Sequence, residues 1–361
     1  MIFATISLHN MAGGLERNII RISNYLAARG HSVSILSFDL PDAVSFYPID
    51  EKVKWHKVGQ TAPHQPISFT ERLKLLCRIR GVFKSTKAST LIVFHHGLLP
   101  RLMLAKIGLG IKTICSERSA LTIYNHIVAS KCNISFFLMF FASKILVQFE
   151  SYKKDYPLLM RQKMWAVPNV VEPAKGRARP SVGDDKGRFE ILAVGRLCDQ
   201  KNYASLIEAF AMVSEKYADW DLTIIGSGGL KDRLTRQIKA SGLERRISIQ
   251  DAQSDIYSRY AKSHIYTMPS KWEGFPNALA EALSCGLPAV GFKDCSGVAD
   301  LISHGNNGLL ADGNGNAQSL AVQLEVLMND PLLRNGMGEA GINSVSIYTE
   351  DRIYPEWEKL L

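Results

Sequence analysis

The 361-residue sequence contains no run of eighteen apolar residues, so no segment reads as a membrane-spanning helix. It also lacks a basic start followed by an apolar core of the secretory kind, and the expected location is the cytosol. Cysteine is sparse. The six, at 77, 115, 132, 198, 285 and 295, show no C-x-x-C pair and no His-Cys cluster, which fits reduced thiols used as small apolar fillers and no zinc site. Zinc-finger spacing, an aromatic RNP-type segment and a helix-turn-helix signature are all missing, which argues against nucleic acid as a partner. There is no short repeat and no low-complexity tract.

Acidic residues are scarce in the first half only. Met1 to Pro180 holds 25 Lys+Arg against 10 Asp+Glu, whereas Ser181 to Leu361 holds 18 against 24. The basic half asks for an anionic partner, and an anionic membrane surface or a pyrophosphate-bearing acceptor fits better than nucleic acid. With 46% hydrophobic residues, the chain is long enough for two α/β domains, each with its own core.

The first half opens with a strand, Ile2 to Leu8, the loop His9 to Gly14, a helix burying Ile19, Ile20, Ile22 and Leu26 and ending at Gly30, and a strand from Ser32 to Phe38. Gly13 and Gly14 lie in the first turn of this βαβ unit. There they permit close backbone approach to a phosphate, or simply a tight turn. They do not complete G-x-G-x-x-G, which argues against a dinucleotide. Further strands are expected at Thr90 to Phe94, Lys112 to Ser116 and Lys144 to Phe149. Ala166 to Pro173 and the Pro-, Gly- and charge-rich Lys175 to Lys186 read as a linker. A second alternating series follows: strand Phe189 to Val194, helix Ala204 to Glu215, strand Leu222 to Ile225, helix Leu230 to Ala240, strand Ile247 to Ile249 and strand Ile265 to Met268.

Lys271 to Glu281, K-W-E-G-F-P-N-A-L-A-E, crosses the start of a helix at the end of that last strand. Gly274 and Pro276 suit a turn and a first helical residue, and Asn277, Ala278 and their successors form helix well. Amides from Gly274 through Phe275 to Ala278 would offer the positive end of the helix to phosphate oxygens. Glu273 and Glu281 then suit hydroxyls, although each alone is equally an exposed acid. Arg196 and Lys201, after the strand ending at Val194, could balance a diphosphate or be solvated loop charges. Asp219-Trp-Asp221 has a metal-site spacing but sits at the opposite end of its strand, so no metal or other cofactor is expected.

Gly195-Arg196 with Lys201, Glu273-Gly-Phe-Pro-Asn-Ala-Leu-Ala-Glu281, Gly-Gly-Leu-Glu-Arg near the start and Pro168-Asn169 together resemble the retaining glycosyltransferases of family 4. The resemblance covers nearly the whole chain. It implies an α/β GT-B architecture of two facing Rossmann-like domains. Residues 1–168 would bind acceptor, 169–345 the nucleotide-sugar, and 346–361, with Trp357, would return to the first domain. Carried over residue by residue, Arg196 and Lys201 would hold the donor diphosphate, Glu273 the transferred sugar, Glu281 the ribose, and the Gly274–Ala278 backbone the phosphate. Gly14, beside Gly13, would close over the diphosphate. Retention in this family is thought to need no assigned nucleophile. The sequence departs from the family at Ser116-Glu117-Arg118-Ser119, where many members have a histidine, so Arg118 or Glu117 takes that place. The loop Gln250 to Ser254 lacks the glycine usual before the base-contacting turn, which leaves UDP or GDP open.

Ser68 to Lys87 reads as a basic amphipathic helix with Phe69, Leu73, Leu76, Ile79 and Phe83 near one face. It either lies on an anionic leaflet or packs as an ordinary surface helix. Phe136 to Phe141 is either core or a shallow membrane contact. The function expected from all of this is transfer of a hexose or N-acetylhexosamine from a UDP-sugar to a lipid-linked glycan or surface-polysaccharide precursor, at the inner face of the cell membrane. The alternatives are a GDP-sugar donor and a non-catalytic sugar-nucleotide-binding subunit.

Overall fold

The computed structural model describes residues 1–11, 13–59, 68–121, 133–253 and 255–360. Ala12, Cys132, Ser254 and Leu361, which carry parts of the expectations above, lie outside them. Contacts divide the chain into two units, Met1–Asn169 with Asp351–Leu361, and Val170–Glu350.

Among the described residues, the first unit holds a seven-stranded parallel sheet in the order β3-β2-β1-β4-β5-β6-β7. Its strands are β1 (Ile2–Thr5), β2 (Ser34–Ser37), β3 (Lys54–Lys57), β4 (Thr90–Val93), β5 (Lys112–Ser116), β6 (Lys144–Val147) and β7 (Met164–Ala166). The central strands β1 and β4 are buried at every position, as expected where helices cover both faces of a parallel sheet. Chain order reverses between β1 and β4, and the carboxyl ends at such a switch point open into a crevice. The helix Gly14–Ala28 buries Ile19, Ile20, Ile22 and Leu26 and ends before Gly30, whose φ of 89° suits glycine.

The basic helix, Phe69–Thr86, begins with a capping box between Ser68 and Glu71. Its buried face differs from the expected one. Leu75, Ile79 and Phe83 are buried, whereas Phe69 and Leu73 are 74% and 48% exposed. At 3.6 residues per turn, the row 75–79–83 forms one stripe, and Leu73 falls ~160° away from Leu75. Beside this helix lies Leu99–Ala105, and beside that the helix Ile134–Met139. Phe136 to Phe141 is mixed, with Phe137 and Phe141 exposed and Met139 buried.

The chain returns to the first unit through the helix Glu350–Glu358. Trp357, 1% exposed, stacks on Phe94 at 5.9 Å and lies 6.2 Å from Phe3. Tyr354 meets Tyr25 at 4.6 Å, and Arg29 Nε donates to Glu358 Oε1 at 2.6 Å.

In the second unit, the described residues form a six-stranded parallel sheet in the order β10-β9-β8-β11-β12-β13. Its strands are β8 (Phe189–Val194), β9 (Trp220–Ile225), β10 (Ile247–Gln250), β11 (Ile265–Met268), β12 (Ala289–Phe292) and β13 (Gly308–Ala311). Here the switch falls between β8 and β11. Lys175 to Lys186, read above as linker, packs into this unit. Ala178 N–H donates to Cys285 O at 2.8 Å, and the buried Arg334 donates to Pro180 O at 2.6 Å while stacking over Phe189 and Trp220. Asp221 of the D-x-D sequence is held by Arg188 at 2.6 Å and Arg246 at 3.0 Å.

Candidate functional site

In the second unit, the loop after β8 brings Arg196 and Lys201, and the loop after β11 brings Glu273, to the carboxyl ends of the strands, with the loop after β9 beside the first. Two of these loops touch backbone to backbone. Leu197 N–H donates to Ser227 O at 2.8 Å, and a Cβ on Gly226 would lie 1.9 Å from Gly195 O, so only glycine permits the approach. The chain then makes a short turn, Asp199–Lys201, and passes through Asn202 at a φ of 51°, a conformation asparagine tolerates, into the helix Tyr203–Ser214.

That turn aims Lys201 inward. Its Nζ donates to Glu273 Oε1 at 2.7 Å, with the two side chains only 13% and 9% exposed. Two N–H bonds of the ammonium remain for other acceptors. The Tyr203 hydroxyl is pushed well above its ordinary range by burial and then by the Glu273 charge, so it stays a neutral phenol. Arg196 is exposed, and its Nη2 donates to Gln200 Oε1 at 3.3 Å. Gln200 was missed in the sequence, yet it braces the site. Its Nε2 donates to Trp272 O at 2.9 Å and its carbonyl accepts from Lys271 N–H at 2.8 Å, tying the Arg196 loop to the Glu273 loop.

Glu273 leads into the helix Asn277–Ser284, capped by Pro276, whose carbonyl accepts from Leu279 and Ala280 N–H. Gly274, Asn277 and Ala278 are half-buried at this positive end. The Phe275 ring is core, 6% exposed and edge-on to Tyr348 at 5.4 Å, so this position offers a ligand its backbone. Glu281 is buried one turn into the helix and accepts from Tyr260 OH at 3.2 Å. Burial, followed by the Glu281 charge, pushes the Tyr260 hydroxyl far up, so it acts as a donor to that carboxylate.

In the first unit, Gly13 caps the helix that Gly14 begins. A Cβ on Gly13 would lie 2.2 Å from Glu16 Oε2, so glycine here makes room for a carboxylate of the first helical turn, where acid is stabilised. After β5 the chain presents Glu117 and Arg118 in opposite senses. Glu117 is 2% exposed and accepts from His96 at both oxygens: its Oε2 lies 3.0 Å from Nδ1 and its Oε1 3.1 Å from the backbone N–H. Burial raises the Glu117 carboxyl, but the hydrogen bond and charge of His96 outweigh it and leave it below the usual range. Arg118 is half-buried beside Asn169. Nothing in the sequence singled out His96, Asn18 or Gln148, and Asn169 was named only within the Pro168-Asn169 motif, without a role; proximity across strands was the missing signal.

Two parallel α/β units of this kind define the GT-B class of fold. Residues 175–344, within the second unit, match the sequence model of the family described as glycosyl transferases group 1. An uncharacterized glycosyltransferase of Haemophilus influenzae is 29% identical over 97% of this chain and 96% of its own. A Campylobacter jejuni enzyme is 25% identical over 97% and 95%; it is named as an α-1,4-N-acetyl-D-galactosaminyltransferase acting on an undecaprenol-diphosphate-linked glycan. Among solved structures, Anabaena Alr3699/HepE in complex with UDP-glucose superposes with a TM-score of 0.78 at 17% identity, over 99% of this chain and 98% of that one.

Proposed function

We propose that this protein is a retaining transferase of family 4 that moves a hexose or N-acetylhexosamine from a UDP-sugar, without a metal, to a lipid-linked glycan or surface-polysaccharide precursor. The observation that carries the reading is the Lys201–Glu273 pair, held at the carboxyl ends of β8 and β11 beside the start of the helix Asn277–Ser284. Departure of a nucleoside diphosphate builds negative charge on the leaving oxygens, and fixed cations in a sheltered site stabilise it most. In this reading Arg196 and Lys201 hold the diphosphate and the Gly274–Ala278 backbone adds its amides. Glu273 takes a hydroxyl of the transferred sugar while orienting Lys201, and Glu281 takes the ribose. Gly13, Gly14 and Arg118 contribute from the first unit. Asp221 is committed to two arginines, which supports charge balance by cations in place of a D-x-D metal site.

Acceptor and membrane enter through the first unit. Phe69 and Leu73, exposed beside Arg72 and Lys74, and the exposed Ile134, Phe137 and Phe141 suit a peripheral position on an anionic leaflet. The names of the relatives supply the precedent for an undecaprenol-linked acceptor and a UDP-linked donor. Mass spectrometry of products formed from a panel of UDP- and GDP-sugars with extracted lipid-linked glycans tests the reading. A hexose or N-acetylhexosamine adduct made from UDP-sugars by the natural protein and lost in Lys201→Ala is expected. Tight UDP binding with neither transfer nor hydrolysis would make the protein a binding subunit instead.

A further inference from the structure

Arg118 follows β5, Gln148 follows β6 and Asn169 follows β7, so three adjacent parallel strands deliver these side chains to one edge of the first sheet. Asn169 Oδ1 is reached by three donors: Asn18 Nδ2 at 2.8 Å, Gln148 Nε2 at 3.2 Å and Arg118 Nη2. A guanidinium has donors only, so the Asn169 atom facing it is the oxygen. The atoms that Asn18 and Gln148 turn toward that oxygen are therefore amide nitrogens. The arrangement fixes the Gln148 amide with Oε1 directed away from Asn169. That oxygen, on a residue only 2% exposed, accepts from no donor among the described residues. A buried acceptor left in this state has lost its water without replacement, a cost that a bound donor would recover.

The guanidinium is unbalanced in the complementary sense. It pairs with no carboxylate among the described residues; Asn169 Oδ1, Val167 O at 3.5 Å and the rings of Phe94 and Trp357, each 5.9 Å away, surround it. The adjacent acid, Glu117, is spent on His96. Burial lowers Arg118 to about 9, so it remains a cation at neutral pH.

We infer that Arg118 and Gln148 form a subsite of the first unit for an anionic substrate group that carries a hydroxyl beside it, with Asn169 positioning the guanidinium. Phosphate or carboxylate oxygens take the N–H fork of Arg118, and the neighbouring hydroxyl donates to Gln148 Oε1. Two sources share this chemistry: the diphosphate and sugar of the donor, or an acceptor bearing a phosphate or a uronate. That both are substrates rests on the proposed function; the unpaired cation and the unpaired oxygen do not.

Calorimetric titration of the full chain with UDP, inorganic pyrophosphate and glucuronate tests the subsite in Arg118→Gln, Asn169→Asp, Gln148→Leu and Arg196→Gln/Lys201→Gln variants. Asn169→Asp keeps an oxygen for all three donors but sets a carboxylate against the guanidinium. It should leave the melting temperature unchanged or higher and weaken anion binding at least tenfold, as Arg118→Gln does, with no added loss in the double variant. Gln148→Leu should weaken glucuronate several-fold and spare pyrophosphate, which carries no sugar hydroxyl. Loss for UDP identifies the donor as the source; loss for glucuronate or pyrophosphate with UDP unchanged identifies the acceptor. Unaltered affinities in Arg118→Gln and Asn169→Asp, or no binding of any of the three by the natural protein, overturn the subsite. If UDP is then still lost in Arg196→Gln/Lys201→Gln, the donor reading survives alone; if that variant also binds UDP normally, the donor reading fails too.

Discussion

Each unit carries one sheltered cation at the carboxyl ends of its sheet, and the two are balanced differently. Lys201 is met by a carboxylate at 2.7 Å, whereas Arg118 is met by an amide oxygen and two aromatic rings. An ion pair lowers the cost of burying charge and tolerates an empty site. An amide cradle leaves the charge in place and makes the empty state the uncomfortable one. The contrast separates a cation whose position is held by its partner from a cation that waits for one.

Four experiments strain that contrast. The largest effect is expected from Trp357→Ala, which removes the aromatic wall beside Arg118 and should cost the first unit about 3–5 kcal/mol. In a melting experiment the first unit should then unfold at lower temperature while stabilisation by UDP persists; equal destabilisation of both units would deny the division. Lys201→Ala should lower transfer by about 10²–10³-fold, the range for losing one preorganised charge stabiliser, with a smaller change in donor KM. Glu281→Gln should weaken UDP about tenfold, ~1.4 kcal/mol, and slow the chemical step less; the reverse split in kcat and KM would move Glu281 from ribose binding to the reaction.

The smallest effect is a pH dependence confined to the second unit. His264 Nδ1 accepts from Glu190 N–H at 2.9 Å and Nε2 donates to Val182 O at 2.8 Å, which fixes a neutral ring. Burial holds its pKa below the ordinary 6.5. A depressed folded value means stability is whole above about 6.5 and falls as pH drops toward the folded value, because only the unfolded chain binds the proton there. The slope is limited to about 1.4 kcal/mol per pH unit and should shrink in His264→Gln. Thermal melts between pH 7 and 5 measure it.

How far the sequence led depended on whether a feature was local. The strands β1, β4, β8 and β11 announce themselves as apolar runs beside turns, and the start of the helix at Asn277 follows from Gly274 and Pro276. By contrast β3 (Lys-Trp-His-Lys) is half-exposed at the sheet edge and carries no apolar run, and β7 is three residues long inside a proline-rich stretch. The exposed Phe69 and Leu73 were misplaced because the expected face ran from them to Ile79 and Phe83, whereas the buried stripe reaches those two residues from Leu75. Lys201 and Glu273 were named from the sequence, but their pairing was not, because 72 residues separate them. Arg118 was named as well. The groups around it, from Phe94 to Trp357, follow other strands or lie on the last helix, beyond any local pattern.

The chain leaves the first unit at Asn169 and comes back to it at Asp351. During synthesis the second unit is therefore complete before the first has received its last helix. Until Trp357 has been made, the faces of Phe3 and Phe94 that it covers stand open to solvent, and a nascent first unit is a platform for non-native association. A chain truncated after Glu350 and released should carry a folded second unit tethered to a first unit that proteases still cut.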